Sequence, residues 1–422
     1  MKVGILSLGC KVNTYESEFV TNKLKDAGYE IASFNDFCDV YIINTCTVTN
    51  TADIKSKKMI RNAIKKNPNA IVVAMGCFIA ANQKFDIEGL DIVIGNKDKS
   101  RIVEIIEEYK KNKKQIRLNY NDALDKFEDM AIDKFPGRTR AFVKIQDGCE
   151  NFCTYCIIPY VRGKCRSKDK TTVLEEVNSL VESGYQEIVL TGIHTGNYGC
   201  DKDYDFADLL SELVKIKGLK RIRISSIEVC ELNDKVLKLL KDNNIIVDHL
   251  HIPLQAGSDA VLKAMNRKYD LAYFFDKIEK IREIRPNISI TTDVIVGFPT
   301  ETREDFLETI KTVKALGFAK IHVFPFSLRN GTKAEEFENI VTVEEKKKRA
   351  RELLDVSKEL ELSYFNKFVG CEEEVLIEQY KDGYSYGHTS NFLYVKIPKK
   401  LEHNTFYKTI IKEVNYPYCI GN

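Results

Sequence analysis

The sequence predicts an α/β chain in three parts: an N-terminal open parallel α/β sheet, a central partial barrel of six β/α units, and a small all-β barrel at the C-terminus. Three observations carry that expectation. Short apolar runs alternate with helical stretches from Met1 to about Arg101, and the alternation resumes from about Thr139 to Arg329. A charged, lysine-rich stretch running into Phe135-Pro136-Gly137 separates the two. After Gly370 the helical period gives way to short strands broken by turn signals such as Asp382-Gly383.

In the first part, Val3–Leu8, Val40–Ile43, Ile71–Met75 and Ile92–Ile94 read as buried parallel strands, with helices near Tyr15–Ala27 and Asp53–Lys66. The second part offers six strands: Ala141–Gln146, Glu187–Thr191, Arg221–Ser226, His249–Leu254, Ser289–Val296 and Lys320–Phe326. Helices such as Thr172–Ser183, Phe206–Ile216 and Tyr273–Arg285 separate them, and sites in such barrels gather at the carboxyl ends of the strands. A long charged helix follows, from about Val343 to Phe368. The third part holds four short strands, Glu374–Glu378, Tyr384–Gly387, Leu393–Ile397 and Phe406–Ile411. The expected domains are 1–112, 135–366 and 367–422.

A chain of 422 residues exceeds one ordinary core. With 44% hydrophobic and 30% charged residues it reads as soluble, and no apolar run approaches the roughly 20 residues that span a bilayer. Met1–Leu6 is a short strand-like run without the features of a signal peptide, so we expect a cytoplasmic protein with no membrane contact. In a reducing cytosol its twelve cysteines are not expected to form a disulfide framework. Net charge is only +2, so a polyanionic partner needs a local basic surface.

Cys149, Cys153 and Cys156 stand at C-x3-C-x2-C spacing in one loop after the first barrel strand. Three thiolates so spaced can hold three corners of a cubane cluster and leave the fourth iron open, although soft thiolates also suit a structural zinc. Zinc sites are usually completed by four protein ligands, and no further ligand sits at zinc-finger distance. A second group is spread out. Cys10, Cys46 and Cys77 each stand just past the carboxyl end of a predicted parallel strand, and in open α/β sheets those ends share one crevice. They could converge on one cluster, or be three inert buried thiols.

Cys149–Cys156, with Tyr155 before the last cysteine, resembles the motif of the radical S-adenosylmethionine (SAM) enzymes. Leu8–Asn13, Asn44–Thr49, Gly76-Cys77, Ile157–Gly163, Ser225–Glu228, His251–Ser258, Asp293–Pro299 and Phe324–Thr332 resemble the methylthiotransferases of that class, and the C-terminal part resembles a TRAM domain. The resemblance spans almost the whole chain. It implies a radical SAM barrel, a TRAM-like RNA-binding barrel, SAM, and two [4Fe–4S] clusters. Cys149, Cys153 and Cys156 would hold the SAM-cleaving cluster; Cys10, Cys46 and Cys77 would hold an auxiliary cluster that carries sulfur. Gly9–Asn13 is most similar to the branch that methylthiolates carbon 2 of N6-threonylcarbamoyladenosine at tRNA position 37. Relatives act on isopentenyladenosine or a ribosomal-protein aspartate; a noncatalytic metal-binding RNA-binding protein is the alternative from another class. The implied partners are a tRNA anticodon stem-loop and a reductant such as flavodoxin or ferredoxin.

Polar groups at strand ends, Thr191, Gly192, Ser226, Glu228 and Gln255, are the candidate SAM contacts, and Arg267 is a candidate partner for a carboxylate. Lys58, Arg61 and Lys65 share one helical face, and Arg162, Lys164, Arg166 and Lys168 form a second basic cluster; either could meet phosphates or simply face solvent. The C-terminal part carries seven basic and seven acidic residues from Asn366 on, and its aromatics Tyr384, Tyr386, Phe392 and Tyr394 are expected mostly to fill the barrel. His251 and His388 are expected to make structural hydrogen bonds. Cys38, Cys165, Cys200, Cys230, Cys371 and Cys419 form no ligand pattern, and Cys165 is expected to oxidise easily.

Overall fold

A computed structural model describes residues 1–118, 126–135, 137–338 and 341–422; Pro136 of the expected boundary lies outside them. The N-terminal sheet comprises β1 (Lys2–Ser7), β2 (Glu30–Ala32), β3 (Val40–Thr45), β4 (Ile71–Gly76), β5 (Ile92–Ile94) and β6 (Ile116–Arg117). All are parallel, in the order β2-β1-β3-β4-β5-β6. Helices α1 (Lys11–Asp26), α2 (Asn50–Lys66), α3 (Cys77–Ala81) and α4 (Ile102–Asn112) connect them. β3 and β4 are buried at every residue because helices cover both faces. Val40, Ile42, Val73 and Met75 pack with α1 and α4, whereas Tyr41, Ile43, Val72 and Ala74 pack with Ile60 and Ala63 of α2. The edge strands β2 and β6 are too short to leave an apolar signature, and the sequence pattern misses them.

The central unit begins with β7 (Arg140–Lys144), the short pair β8 (Gln146–Asp147) and β9 (Arg166–Ser167), and α5 (Ile158–Arg162) between them. It continues through α6 (Lys170–Glu182), β10 (Glu187–Thr191), α7 (Phe206–Leu213), β11 (Arg221–Ile224), α8 (Asp234–Asp242) and β12 (His249–His251). Then follow α9 (Asp259–Ala264), α10 (Leu271–Ile284), β13 (Ser289–Val296), α11 (Arg303–Leu316), β14 (Lys320–Pro325) and α12 (Val343–Asn366). β7, β10 and β11 are parallel neighbours, as are β12, β13 and β14. The two sheets join where Val247 N donates to Ile222 O at 3.1 Å. No pairing joins β14 back to β7 among the described residues, so the barrel stays open on that side.

At the C-terminus β15 (Glu372–Lys381), β16 (Tyr384–Thr389), β17 (Tyr394–Ile397), β18 (Phe406–Asn415) and β19 (Tyr418–Gly421) close into a barrel in the order β15-β16-β17-β19-β18. β19 was not anticipated: four residues after a proline carry little pattern. The expected placing of the aromatics is overturned. Tyr384, Tyr386 and Tyr394 alternate outward, half-buried, while Ser385, Gly387 and Thr389 face in. A closed five-stranded barrel has a narrow interior; a Cβ on Gly387 would lie 2.0 Å from Leu376 O. The core is instead aliphatic, with Val375, Ile377, Val395 and Ile411. Outside, His388 stacks on Phe392 and Tyr394 with ring centroids 4.5 and 4.7 Å apart.

Candidate functional site

Cys149, Cys153 and Cys156 lie in the loop that follows β8. The chain holds this loop from several sides. Cys149 N donates to Gly163 O at 3.1 Å, Thr154 N to Met265 O at 3.1 Å, and Ala334 N to Thr154 O at 2.7 Å. Gly148, at φ +78°, has no room for a side chain, since a Cβ would lie 1.9 Å from Lys164 O. Burial raises the Cys153 thiol, opposed by Arg267, whose guanidinium donates to Cys153 Sγ at 3.2 Å. Burial pushes Cys156 up to about 12. Without metal these thiols hold their protons near neutrality, so a thiophilic metal must displace them.

Cys10 begins α1 just beyond β1, Cys46 follows β3, and Cys77 begins α3 at the end of β4. Strand register lines these ends up, Ser7 opposite Asn44 and Thr45 opposite Gly76. Gly9 and Gly76, both at φ +98°, turn the chain sharply before their cysteines. A Cβ on Gly9 would lie 2.8 Å from Cys46 Sγ, which measures how closely the two segments approach. Cys10 is exposed; Cys46 and Cys77 are buried. Burial pushes Cys46 up to about 11, and the Cys10 and Cys46 thiols each feel the charge of Cys77.

Beneath this second trio lies a buried ionic network that the sequence did not reveal. Arg162, wholly buried, donates from Nε to Cys77 Sγ at 3.2 Å and from Nη2 to Asn13 Oδ1 at 2.8 Å. Its Nη1 lies 3.0 Å from both Glu16 and Asp147. Lys144 reaches the same two carboxylates at 2.9 and 2.7 Å, Lys99 pairs with Glu16, and Arg166 lies 3.7 Å from Asp147. Burial alone would raise Glu16, but Arg162, Lys144 and Lys99 hold it well below the usual carboxylate range. Four cations thus share two bonded carboxylates. The surplus positive charge suits thiolates on Cys10, Cys46 and Cys77 and an anionic cluster held by them. α3 also packs on α5 through Cys77, Ile157 and Val161, joining the two cysteine regions.

The candidate SAM contacts divide. Thr191, Gly192 and Ser226 line a large cavity of about 990 Å³ that fills the open barrel and has Gly9, Cys10 and Lys11 on another wall. Glu228 and Arg267 line a separate cavity of about 80 Å³ beside Cys153, and they pair with each other. The carboxylate that Arg267 meets is therefore one of the chain's own. Gln255, at φ +68°, serves the backbone, its N donating to Asp293 O at 2.9 Å, and lines neither cavity.

Other expectations change. Arg162, Arg166 and Lys168 do not form a phosphate-facing cluster: all are buried in ion pairs, Lys168 with Glu176 at 2.5 Å, and of that group only Lys164 is exposed. Lys58, Arg61 and Lys65 do stand exposed on one side of α2. Cys165, expected to oxidise easily, is joined to Cys200 in a disulfide that ties the loop behind Cys149 to the one after β10, a pairing the sequence did not suggest. Two cysteines 35 residues apart carry no local signal for such a bond. His388 bonds Glu378 at 2.9 Å, and His251 bonds Thr291 Oγ1 at 2.9 Å. His251 also groups with Asp293 and His322 on the cavity wall, their ligand atoms within 4.8 Å of one another.

A partial barrel of six parallel strands, with three cysteines in the loop after its first strand, defines a radical SAM enzyme. That class uses SAM and a [4Fe–4S] cluster. Residues 143–313 match the Radical SAM superfamily and residues 2–95 match the Uncharacterized protein family UPF0004. Threonylcarbamoyladenosine tRNA methylthiotransferase MtaB of Bacillus subtilis is 43% identical, covering 99% of this chain and 95% of its own. tRNA-2-methylthio-N(6)-dimethylallyladenosine synthase of Clostridium botulinum (strain Loch Maree / Type A3) is 36% identical, covering 88% of this chain and 84% of its own. The chain belongs to the radical SAM methylthiotransferase family. Among solved structures, the radical SAM methyltransferase TsrM of Kitasatospora setae shares the fold, with TM-score 0.59 and 14% identity over 79% of this chain and 76% of that one. No helix among the described residues is long and apolar enough to cross a membrane.

Proposed function

We propose that this chain adds a methylthio group to carbon 2 of N6-threonylcarbamoyladenosine at position 37 of tRNA, in the cytoplasm, with domains 1–112, 135–366 and 367–422. One observation carries the reading: a single cavity has Cys10 on one wall and the strand-end residues Thr191, Gly192 and Ser226 on another. A base held there lies between Cys10 and the strand ends that carry Thr191 and Ser226. Cys149, Cys153 and Cys156 would hold a SAM-cleaving [4Fe–4S] cluster, and Cys10, Cys46 and Cys77 an auxiliary one. The chemistry supplied by these groups is reductive cleavage of SAM to a 5′-deoxyadenosyl radical, which activates an unreactive carbon–hydrogen bond, together with a sulfur to be methylated and transferred.

The chain's own residues do the rest. Arg267 neutralises Cys153 and orients Glu228, which can accept an ammonium group. Thr191 and Ser226 offer polar contacts for ribose and carboxylate. Arg162 balances the thiolates of the second trio from below. The anticodon stem-loop would approach the open side of the barrel, with flavodoxin or ferredoxin supplying electrons.

Nucleoside mass spectrometry of tRNA from a deletion strain tests this reading. We expect methylthiolated threonylcarbamoyladenosine to disappear and the unmethylthiolated nucleoside to accumulate. Unchanged levels reject the substrate, and loss of the methylthio group from isopentenyladenosine instead reassigns it.

A further inference from the structure

The large cavity is lined by five formally cationic side chains and two carboxylates: Lys11, Arg138, Arg140, Arg223 and Lys320, with Asp293 and Glu378. Four of the five cations have a carboxylate of their own. Arg138 meets Glu18 at 4.0 Å, Arg140 meets Glu378 at 3.2 Å, Arg223 meets Glu187 at 2.7 Å, and Lys320 meets Glu361 at 2.9 Å. Lys11 is the remainder. Its side chain makes no hydrogen bond or ion pair among the described residues, and it shares the cavity wall with Arg140, Arg223, Asp293 and Cys10. Asp293 is already engaged, 3.3 Å from His251. An ammonium facing a cavity that Arg140 and Arg223 also line favours an anionic occupant.

We propose that Lys11 is the receptor for a carboxylate on the substrate, the one borne by the threonyl group of N6-threonylcarbamoyladenosine. This rests on the substrate reading above and deepens it. Carbon 6, which bears N6, and carbon 2 of adenine both flank N1, so a substituent on N6 turned toward N1 extends along the ring edge that presents carbon 2. Lys11 follows Cys10 directly, so an anchor at Lys11 brings that edge toward Cys10. An isopentenyl group has no charge to offer, and seating it would leave the ammonium desolvated and unpaired. Lys11 therefore selects for the acid and against the hydrocarbon.

The test compares stem-loop RNAs bearing threonylcarbamoyladenosine, its methyl ester or plain adenosine at position 37, bound to the anaerobic cluster-loaded protein. Wild type is expected to bind the acid about 10- to 100-fold more tightly than the ester, the range of one charged hydrogen bond. Lys11→Met, compared at matched iron and sulfide content, should erase that difference, and Lys11→Arg should keep it. Equal binding of acid and ester by wild type overturns the inference without needing any variant to fold. So does a Lys11→Met loss shared equally by all three RNAs, which marks a phosphate contact, or a loss confined to SAM affinity. If wild type forms no methylthio product on the acid RNA, the substrate reading falls and takes the inference with it. If product forms while acid and ester bind alike, only the inference falls.

Discussion

The two cysteine trios solve one problem in opposite ways. Cys149, Cys153 and Cys156 sit within a single loop, so their meeting is a property of local chain geometry. Cys10, Cys46 and Cys77 come from three strand ends, which lie side by side only because β1, β3 and β4 pair in parallel with fixed register. The first trio owes its spacing to its own loop, although Gly163, Met265 and Ala334 hold that loop in place. The second is only as secure as the sheet and the ionic network beneath it.

The largest effect should come from the local trio. Cys153→Ala leaves two thiolates in the loop, and reductive SAM cleavage should fall to background with about half the iron lost, measured as 5′-deoxyadenosine released by the anaerobic protein. Cys46→Ala should also lose about half the iron but keep SAM cleavage while forming no methylthio product. If both variants lose SAM cleavage alike, the trios are not separable and the comparison breaks.

Arg162→Met should show how the two regions are coupled. The substitution removes a guanidinium bonded to Glu16, Asp147, Asn13 and Cys77, leaving buried carboxylates with fewer counter-charges. Denaturant unfolding should report a loss of about 3–5 kcal/mol, the cost of breaking a buried ion pair from one side. Iron should leave the spread trio first.

The same contrast governs how much could be read in the sequence. The local loop was legible because C-x3-C-x2-C spacing is itself the geometry. The spread trio was legible at one remove, through apolar runs that place each cysteine past a strand end. The network around Arg162 was not. Nothing in Arg162, Lys164, Arg166 and Lys168 as a string says that three of the four turn inward, because a charge run carries no direction until Glu16, Asp147 and Glu176 are brought to it from elsewhere. The Cys165–Cys200 bond depends on two loops meeting, which local pattern cannot report. In β16 the alternation of tyrosine with small residues was visible, but which set faced inward followed from the closure of the barrel.

The smallest effect is also the most selective. Gly9 and Gly28 both hold positive φ, +98° and +83°, so alanine at either carries backbone strain of about 1–3 kcal/mol. They differ in what a methyl group would meet. At Gly28 nothing lies within 4 Å, whereas at Gly9 the new carbon would stand 2.8 Å from both Cβ and Sγ of Cys46. Gly28→Ala should therefore cost stability and leave the iron content unchanged. Gly9→Ala must also push Cys46 away from Cys10, so methylthio product should fall while SAM cleavage persists. Because the two variants share the strain and differ only in the contact, their difference isolates the packing of the strand ends. If Gly9→Ala forms product at the rate of Gly28→Ala, Cys46 has room to move, and close packing against Gly9 is not what fixes the spread trio.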